Sequence, residues 1–324
     1  MFLAQKELYS PAAEVFKRCA HDYPELFESH YNLALARYAL KQFPEAFLAI
    51  ERAPAGSAPQ EVARHYLRGK IEGALQRNAE AAEDLEMAFR SNPQQENYAL
   101  DLGLLYLQHQ QYPKAAKVFD GGIRLNPQSV YLWFGLALAL FLEGRTEQCL
   151  SAGEHLLALR PDFTPASLLL AFVLTINGKL AEAEKMAAQG LNSPHPHPFL
   201  YYLHASILLR LHSKHDAQIL RELTTAERAM PSCSLCALAK GKLEEARSDF
   251  PAAITDMERA TRQDPAFPDP WYHLATLYAR SGRHQEAELA RRRFSSLKAE
   301  SESRETQAFR KVLLESLSES SDAF

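Results

Sequence analysis

Small residues recur along this chain at a spacing close to 34, and that recurrence limits the fold more than any other feature. One column reads Ala34, Gly69, Gly103, Ala137, Ala171, Ala205, Gly241 and Ala275, and a second reads Ala12, Ala46, Ala81, Ala115, Cys149, Ala183, Ala217, Ala253 and Ala287. Antiparallel helices approach closely only where the side chains at their crossing are small, so the columns mark the contacts within a series of helix pairs. A third column, Leu33, Leu102, Leu136, Leu170 and Leu274, is large and apolar, and is broken by Arg68, His204 and Lys240. The segments at 9–16 (YSPAAEVF), 43–47 (FPEAF), 112–119 (YPKAAKVF) and 250–254 (FPAAI) each read aromatic, then Pro, then Ala. Pro127, Pro161 and Pro265 close a second recurring unit. A period of this length belongs to an array in which each unit stacks on its neighbours.

Composition agrees. The 324 residues include 49 Ala and 48 Leu but 6 Val and 7 Ile. Ala and Leu lose little side-chain freedom in a helix, whereas Val and Ile suit strands. Only 13 Gly are present, too few for an abundance of phosphate loops and tight hairpins. The fold class is therefore all-α, and sheet-based enzymes of this length are disfavoured. The net charge of -4 offers no basic field for a nucleic acid backbone, so no nucleic acid partner is expected. Four cysteines are too few for a disulfide scaffold. No run of about 18 apolar residues exists, so no membrane span is expected. The first residues lack a signal peptide's features, and an exported parent would have lost its leader, which leaves cytoplasmic and exported locations both open.

The columns resemble the tetratricopeptide repeat family, whose pattern runs large aromatic, Leu, small residue, aromatic, Ala, aromatic, small residue and Pro. The last repeat carries Trp271, Leu274, Ala275, Tyr278, Gly282 and Ala287; the fourth carries Leu102, Gly103, Tyr106, Tyr112, Ala115, Phe119, Gly122 and Pro127; the fifth carries Trp133, Leu136, Ala137, Gly144 and Pro161. The resemblance implies a right-handed superhelical solenoid of antiparallel helix pairs with about eight to nine repeats. Lys240 departs from the pattern, and the seventh repeat, about 198–232, runs two residues long. The phase divides the chain into a partial first repeat at 1–26, tandem repeats at 27–294, and a capping helix and tail at 295–324. A half repeat exposes apolar surface, so a fragment of a longer protein or a half-repeat cap is expected. Pro11, Pro44, Pro113 and Pro251 fit the first turn of second helices, where the amide is unpaired anyway. Beyond Phe294 an acidic, serine-rich stretch at 300–305 leads to a last helix with Phe309, Leu313 and Leu317 in one row.

Little else suggests chemistry. Cys233 and Cys236 have redox-motif spacing, but no βαβ pattern surrounds them, and zinc would need two further ligands from His195, His197, His204, His212 or His215. Two small residues opening a helix is the plainer reading, with a disulfide fitting an exported protein. The segment 193–198 (SPHPHP) reads as a loop. Arg291 to Arg293 read as a solvated face. No phosphate-loop, zinc-protease or esterase motif occurs. No catalytic, cofactor or metal site is expected, and the chain reads as a non-enzyme.

The resemblance implies that first helices line a concave face. Its members in the middle repeats are Leu100, Leu104, Leu107, Tyr131, Phe134, Leu138, Phe141, Leu168, Phe172, Ile176, Phe199, Tyr202 and Leu209. This set is too apolar for a solvated surface. The family's carboxylate clamp is disfavoured, because Lys70, Asn97, Arg210 and Lys242 are scattered. Either these residues form a peptide-binding groove, or some of them pack between neighbouring helices. The expected function is a protein-interaction scaffold that binds an apolar, helical segment of a protein or peptide. Alternatives are a recognition arm or assembly-machine subunit of a larger protein, and a self-associating array, monomeric or homodimeric, with its C-terminal helix in the groove.

Overall fold

The computed structural model describes residues 8–212, 214–298 and 304–322. Among these residues the chain forms 18 α-helices and no strand. Helix α1 (Tyr9–Asp22) precedes the pairs α2 (Phe27–Ala39) and α3 (Phe43–Glu51), α4 (Ala58–Ala74) and α5 (Asn78–Ser91), and α6 (Glu96–Gln108) and α7 (Tyr112–Leu125). Then come α8 (Val130–Leu142) and α9 (Thr146–Leu159). The pairs α10 (Thr164–Ile176) and α11 (Leu180–Leu191), α12 (Pro198–Arg210) and α13 (Asp216–Ala229), α14 (Ser234–Ala246) and α15 (Phe250–Gln263), and α16 (Pro268–Arg280) and α17 (His284–Lys298) follow, with α18 (Arg304–Asp322) last. Two compact units result: residues 1–145 with 317–324 form unit 1, and residues 146–316 form unit 2.

Within each unit, consecutive helices pack on one another, and first helices also pack on the next first helix, as α4 does on α6 and α10 on α12. The chain reverses inside a pair through a short turn whose central residue takes positive φ: Lys41, Gln76, Gln110, Gly144, Gly178, Ser248 and Gly282. The next amide then reaches back to close the preceding helix, as Arg77 N–H does to the Glu72 carbonyl at 2.9 Å and Lys179 N–H to Leu174 at 2.9 Å. This is the Schellman arrangement, which satisfies carbonyls that a helix end leaves open.

The small-residue columns lie where the helices cross. Ala34, Ala137, Ala171 and Ala205 are fully buried, as are Ala46, Ala81, Ala115, Cys149, Ala183 and Ala253. The tightest crossing holds Phe119 between Gly103 and Gly135, where an added Cβ would lie 2.3 Å and 2.5 Å from the ring. One member is corrected. Ala217 is exposed and Ile219 is fully buried in its place. The two extra residues of the seventh repeat lie between α12 and α13, whose connection spans 211–215, so everything after it shifts by two.

The polar breaks in the Leu column are paired. Arg68 meets Asp84 through two hydrogen bonds of 2.5 and 2.8 Å and reaches Glu51 at 3.0 Å, while His65 adds a contact to Asp84 at 2.8 Å. His204 bonds Glu222 at 2.8 Å, with Glu184 at 3.6 Å. Lys240 pairs with Glu227, and Arg259 bridges Glu227 and Asp256 at 2.9 and 2.6 Å. Asp84, Glu222 and Asp256 occupy one column of the second helices, once the loop insertion is counted. Arg68 and His204 meet the acid of that column directly, whereas Lys240 meets Glu227 and Asp256 is met by Arg259, so each charge taken out of water has a partner.

Candidate functional site

The first-helix face of unit 2 is occupied by the first part of α18, residues 304–316. Helical spacing sets Glu305, Phe309 and Leu313 in one row, and Phe309 and Leu313 are fully buried. The Phe309 ring stacks on Phe172 of α10, with centroids 3.7 Å apart and planes 17° off parallel, and lies 6.3 Å from the Phe199 ring of α12. One turn earlier, the Glu305 carboxylate accepts hydrogen bonds from the Tyr202 hydroxyl at 2.9 Å and the Arg210 guanidinium at 3.1 Å. Arg304 pairs with Asp264 at 3.2 Å and donates to the Ala266 carbonyl at 3.3 Å, tying the start of α18 to the turn before α16. Burial and then the Glu305 charge push the Tyr202 phenol well above its usual pKa, so it stays a donor. A cavity of about 360 Å³ adjoins this carboxylate, lined by Arg210, Lys242, Leu209, Leu235, Phe267 and Asp269 among others.

Unit 1 presents a different face. The Tyr66 ring of α4 lies 4.4 Å from Tyr98 of α6, and its hydroxyl donates to Asp101. Lys70 pairs with Asp101 at 3.0 Å and stands 5.5 Å from the Tyr66 ring and 5.9 Å from the Tyr38 ring. Burial first, and the Asp101 charge second, raise the Tyr66 pKa, so this hydroxyl also stays protonated. Behind the two faces sit two further carboxylates with displaced titrations. Burial, with Asp84 beside it, pushes Glu72 up to about 7, and burial with Asp256 does the same to Glu244.

Of the residues assigned to the face from sequence, Leu100, Leu104, Leu107, Phe134 and Leu138 are buried in unit 1, with Tyr131 and Phe141 half-buried. In unit 2, Leu168, Phe172, Phe199 and Tyr202 are buried and Leu209 is half-buried, whereas Ile176 is 52% exposed at the end of α10. The scattered polar set divides in space. Lys70 belongs to the Asp101 pair of unit 1, while Arg210 and Lys242 line one cavity in unit 2. Glu305, read from sequence as part of an acidic connection, stands in the first turn of α18. Its signal was present: it lies four residues before Phe309 and extends the row of Phe309, Leu313 and Leu317.

The other candidate groups have local roles. Cys233 and Cys236 form a disulfide at the start of α14, and the Cys233 sulfur accepts from the Cys236 amide at 3.1 Å. His197 caps α12 by accepting from the Phe199 amide at 3.1 Å. Burial pushes the Cys149 thiol up to about 12. Among the described residues, no three His, Cys, Asp or Glu side chains converge as a metal site would need, and no helix is long and apolar enough to cross a membrane.

A tetratricopeptide repeat family model matches residues 66–130, 100–162 and 238–294. These segments are tetratricopeptide repeats. Two solved bacterial structures share the fold of the repeat array. A tetratricopeptide repeat protein from Parabacteroides merdae is 21% identical with a TM-score of 0.53, the match covering 70% of this chain and 88% of that one. The C-terminal part of a repeat-containing protein from Cytophaga hutchinsonii is 15% identical with a TM-score of 0.54, over 82% of this chain and 93% of that one. Among curated proteins, Superkiller complex protein 3 of Mus musculus is 29% identical over 131 residues, 40% of this chain and 8% of that protein. The peroxisomal targeting signal receptor of Candida albicans is 24% identical over 195 residues, 58% of this chain and 33% of that protein. The chain thus spans a minor part of the curated relatives it matches. Tandem tetratricopeptide repeats imply a protein-interaction scaffold, since stacked helix pairs present an extended surface.

Proposed function

We propose that the chain is a non-enzymatic scaffold whose first-helix face receives an apolar, helical segment of a protein or peptide, and that α18 is the segment it holds in cis. The observation that carries this reading is the stacking of Phe309 on Phe172. An amphipathic helix seated by aromatic and aliphatic anchors one turn apart is the helix-in-groove mode of recognition. A net charge of -4 favours a protein partner over nucleic acid. Exchange of α18 between two copies would preserve each of its contacts in unit 2, so a homodimer uses the same chemistry.

The test uses the full chain with Phe309→Ala and Leu313→Ala, which loosen α18, and a labelled peptide of residues 304–322. Saturable binding to this variant, at least tenfold tighter than to the unaltered chain, is expected. Binding no tighter than that of a scrambled peptide would overturn the proposal. A second reading, a recognition arm within a larger assembly, is favoured by the length of the curated relatives, one of which is named as part of a complex. Purification at native abundance as a particle no larger than one or two chains counts against it.

A further inference from the structure

We infer that the first-helix face of unit 2 selects its helical ligand through an acidic side chain placed one turn before the aromatic anchor, read by Tyr202 and Arg210 of α12. This rests on the helix-binding reading above and names the partner's chemistry. The occupant is a helix with a carboxylate at position i, an aromatic ring at i+4 and Leu at i+8, running in the direction of α18 and displacing it.

Three observations meet at this point. Tyr202 is 4% exposed, so its hydroxyl has little access to water; Ser206 of the same helix is one partner, and Glu305 of the covering helix is its charged acceptor. Arg210 lies eight residues later on α12, just over two turns, which brings both donors to one carboxylate at 2.9 and 3.1 Å. The Glu305 side chain is only 14% exposed, so its charge is largely removed from water and is tolerated because both donors are in place. The adjoining cavity supplies the charge logic: Arg210 and Lys242 face one fixed acid, Asp269, and the ligand's carboxylate balances the second cation. An apolar side chain there would take the carboxylate from the buried Tyr202 and hand the part-exposed Arg210 back to water, and an amide would lose the charge-assisted part of both bonds. Recognition therefore involves a polar selector beside the Phe172 and Phe199 anchor site, and the selector comes from the first turn of a helix.

The experiment compares three peptides of residues 304–322 (unaltered, Glu305→Gln and Phe309→Ala) on the full chain carrying Phe309→Ala and Leu313→Ala. The Glu305→Gln peptide is expected to bind roughly fivefold to tenfold more weakly than the unaltered one, the scale of a charge-assisted hydrogen bond discounted for the exposure of Arg210. Adding Arg210→Gln to the chain should weaken the unaltered peptide by a similar factor and shrink the Glu–Gln difference. Equal affinity of the Glu and Gln peptides, with the Phe309→Ala peptide still failing, overturns the acidic selection and leaves the helix-binding reading standing. If all three peptides fail alike, both fall. Should the Arg210→Gln chain melt early, the Glu–Gln comparison on the parent variant still decides.

Discussion

In unit 2, α10 and α12 turn Phe172, Phe199 and Tyr202 toward α18. In unit 1, α4 and α6 turn Tyr66, Tyr98, Lys70 and Asp101 toward one another. By repeat position Phe172 corresponds to Lys70 and Tyr202 to Tyr66, so the chemistry differs where unit 1 has a cation and unit 2 a ring. In unit 1, Lys70 and the Tyr66 hydroxyl both meet the Asp101 carboxylate. Phe has no polar group to pair. A face built from Phe172 and Phe199 gains by covering itself with another apolar side chain, and Phe309 provides one. The same scaffold thus carries one face that pairs its charges within itself and one that holds a helix through stacked rings.

The largest expected effect breaks that contrast directly. Phe309→Ala should cost about 3 to 5 kcal/mol of the docking free energy of α18, the range for truncating a buried Phe. Proteolysis should then release the C-terminal segment while the repeats stay folded. Survival of α18 under the same protease would show that the Phe stack is not what holds it.

Next comes the helix-pair interior behind the faces. His204→Leu restores the Leu column yet leaves the buried Glu222 charge with Gln218 as its remaining hydrogen-bond donor, so the single variant should lose about 2 to 4 kcal/mol in denaturant melts. Adding Glu222→Met, the residue type at Met186 in the same column, should recover most of the loss. Additive losses would mean the two positions are not coupled. A smaller effect is expected in unit 1. Tyr66→Phe removes the donor to Asp101 and should cost about 1 to 2 kcal/mol, with the aromatic contact to Tyr98 kept. No change on melting would mean that Asp101 does not need the Tyr66 hydroxyl.

The smallest effect is read from pH. Glu72 has an ordinary carboxylate pKa when unfolded and titrates at about 7 when folded, so the folded state holds its proton longer. Stability from this group is complete at low pH and is lost as pH rises through that window. A Glu72→Gln chain should therefore gain stability relative to the unaltered one between about pH 4.5 and 7. Glu244→Gln should do the same in unit 2. A difference independent of pH would contradict the burial and Asp84 repulsion invoked for Glu72.

The sequence made the array legible because the crossing residues must be small, and a steric requirement repeats with the structure. The register error at Ala217 shows the limit of that signal. Two extra residues betray themselves by a shift downstream, and only the connection at 211–215 shows where they sit. The acids Asp84, Glu222 and Asp256 are equally present in the sequence, but their column is apolar or small in most repeats, so the position alone does not mark a charge. That α18 covers Phe172 and Phe199 is readable from the sequence only as one alternative, because a row of apolar residues on α18 does not say which surface it covers. Glu305 is hidden for a related reason: acidic and serine-rich residues before it look like a solvated connection, while its partners lie about 95 and 103 residues away.

The central claim is that α18 is a docked occupant of the first-helix face of unit 2. A helix of 19 residues is marginal in water by itself, so slow amide exchange within it reports docking. Hydrogen exchange on the full chain should find the amides of 309–316 protected, and Phe309→Ala should abolish that protection while α11 and α13 keep theirs. Exchange of α18 at unstructured rates in the unaltered chain, or protection untouched by Phe309→Ala, would contradict the account.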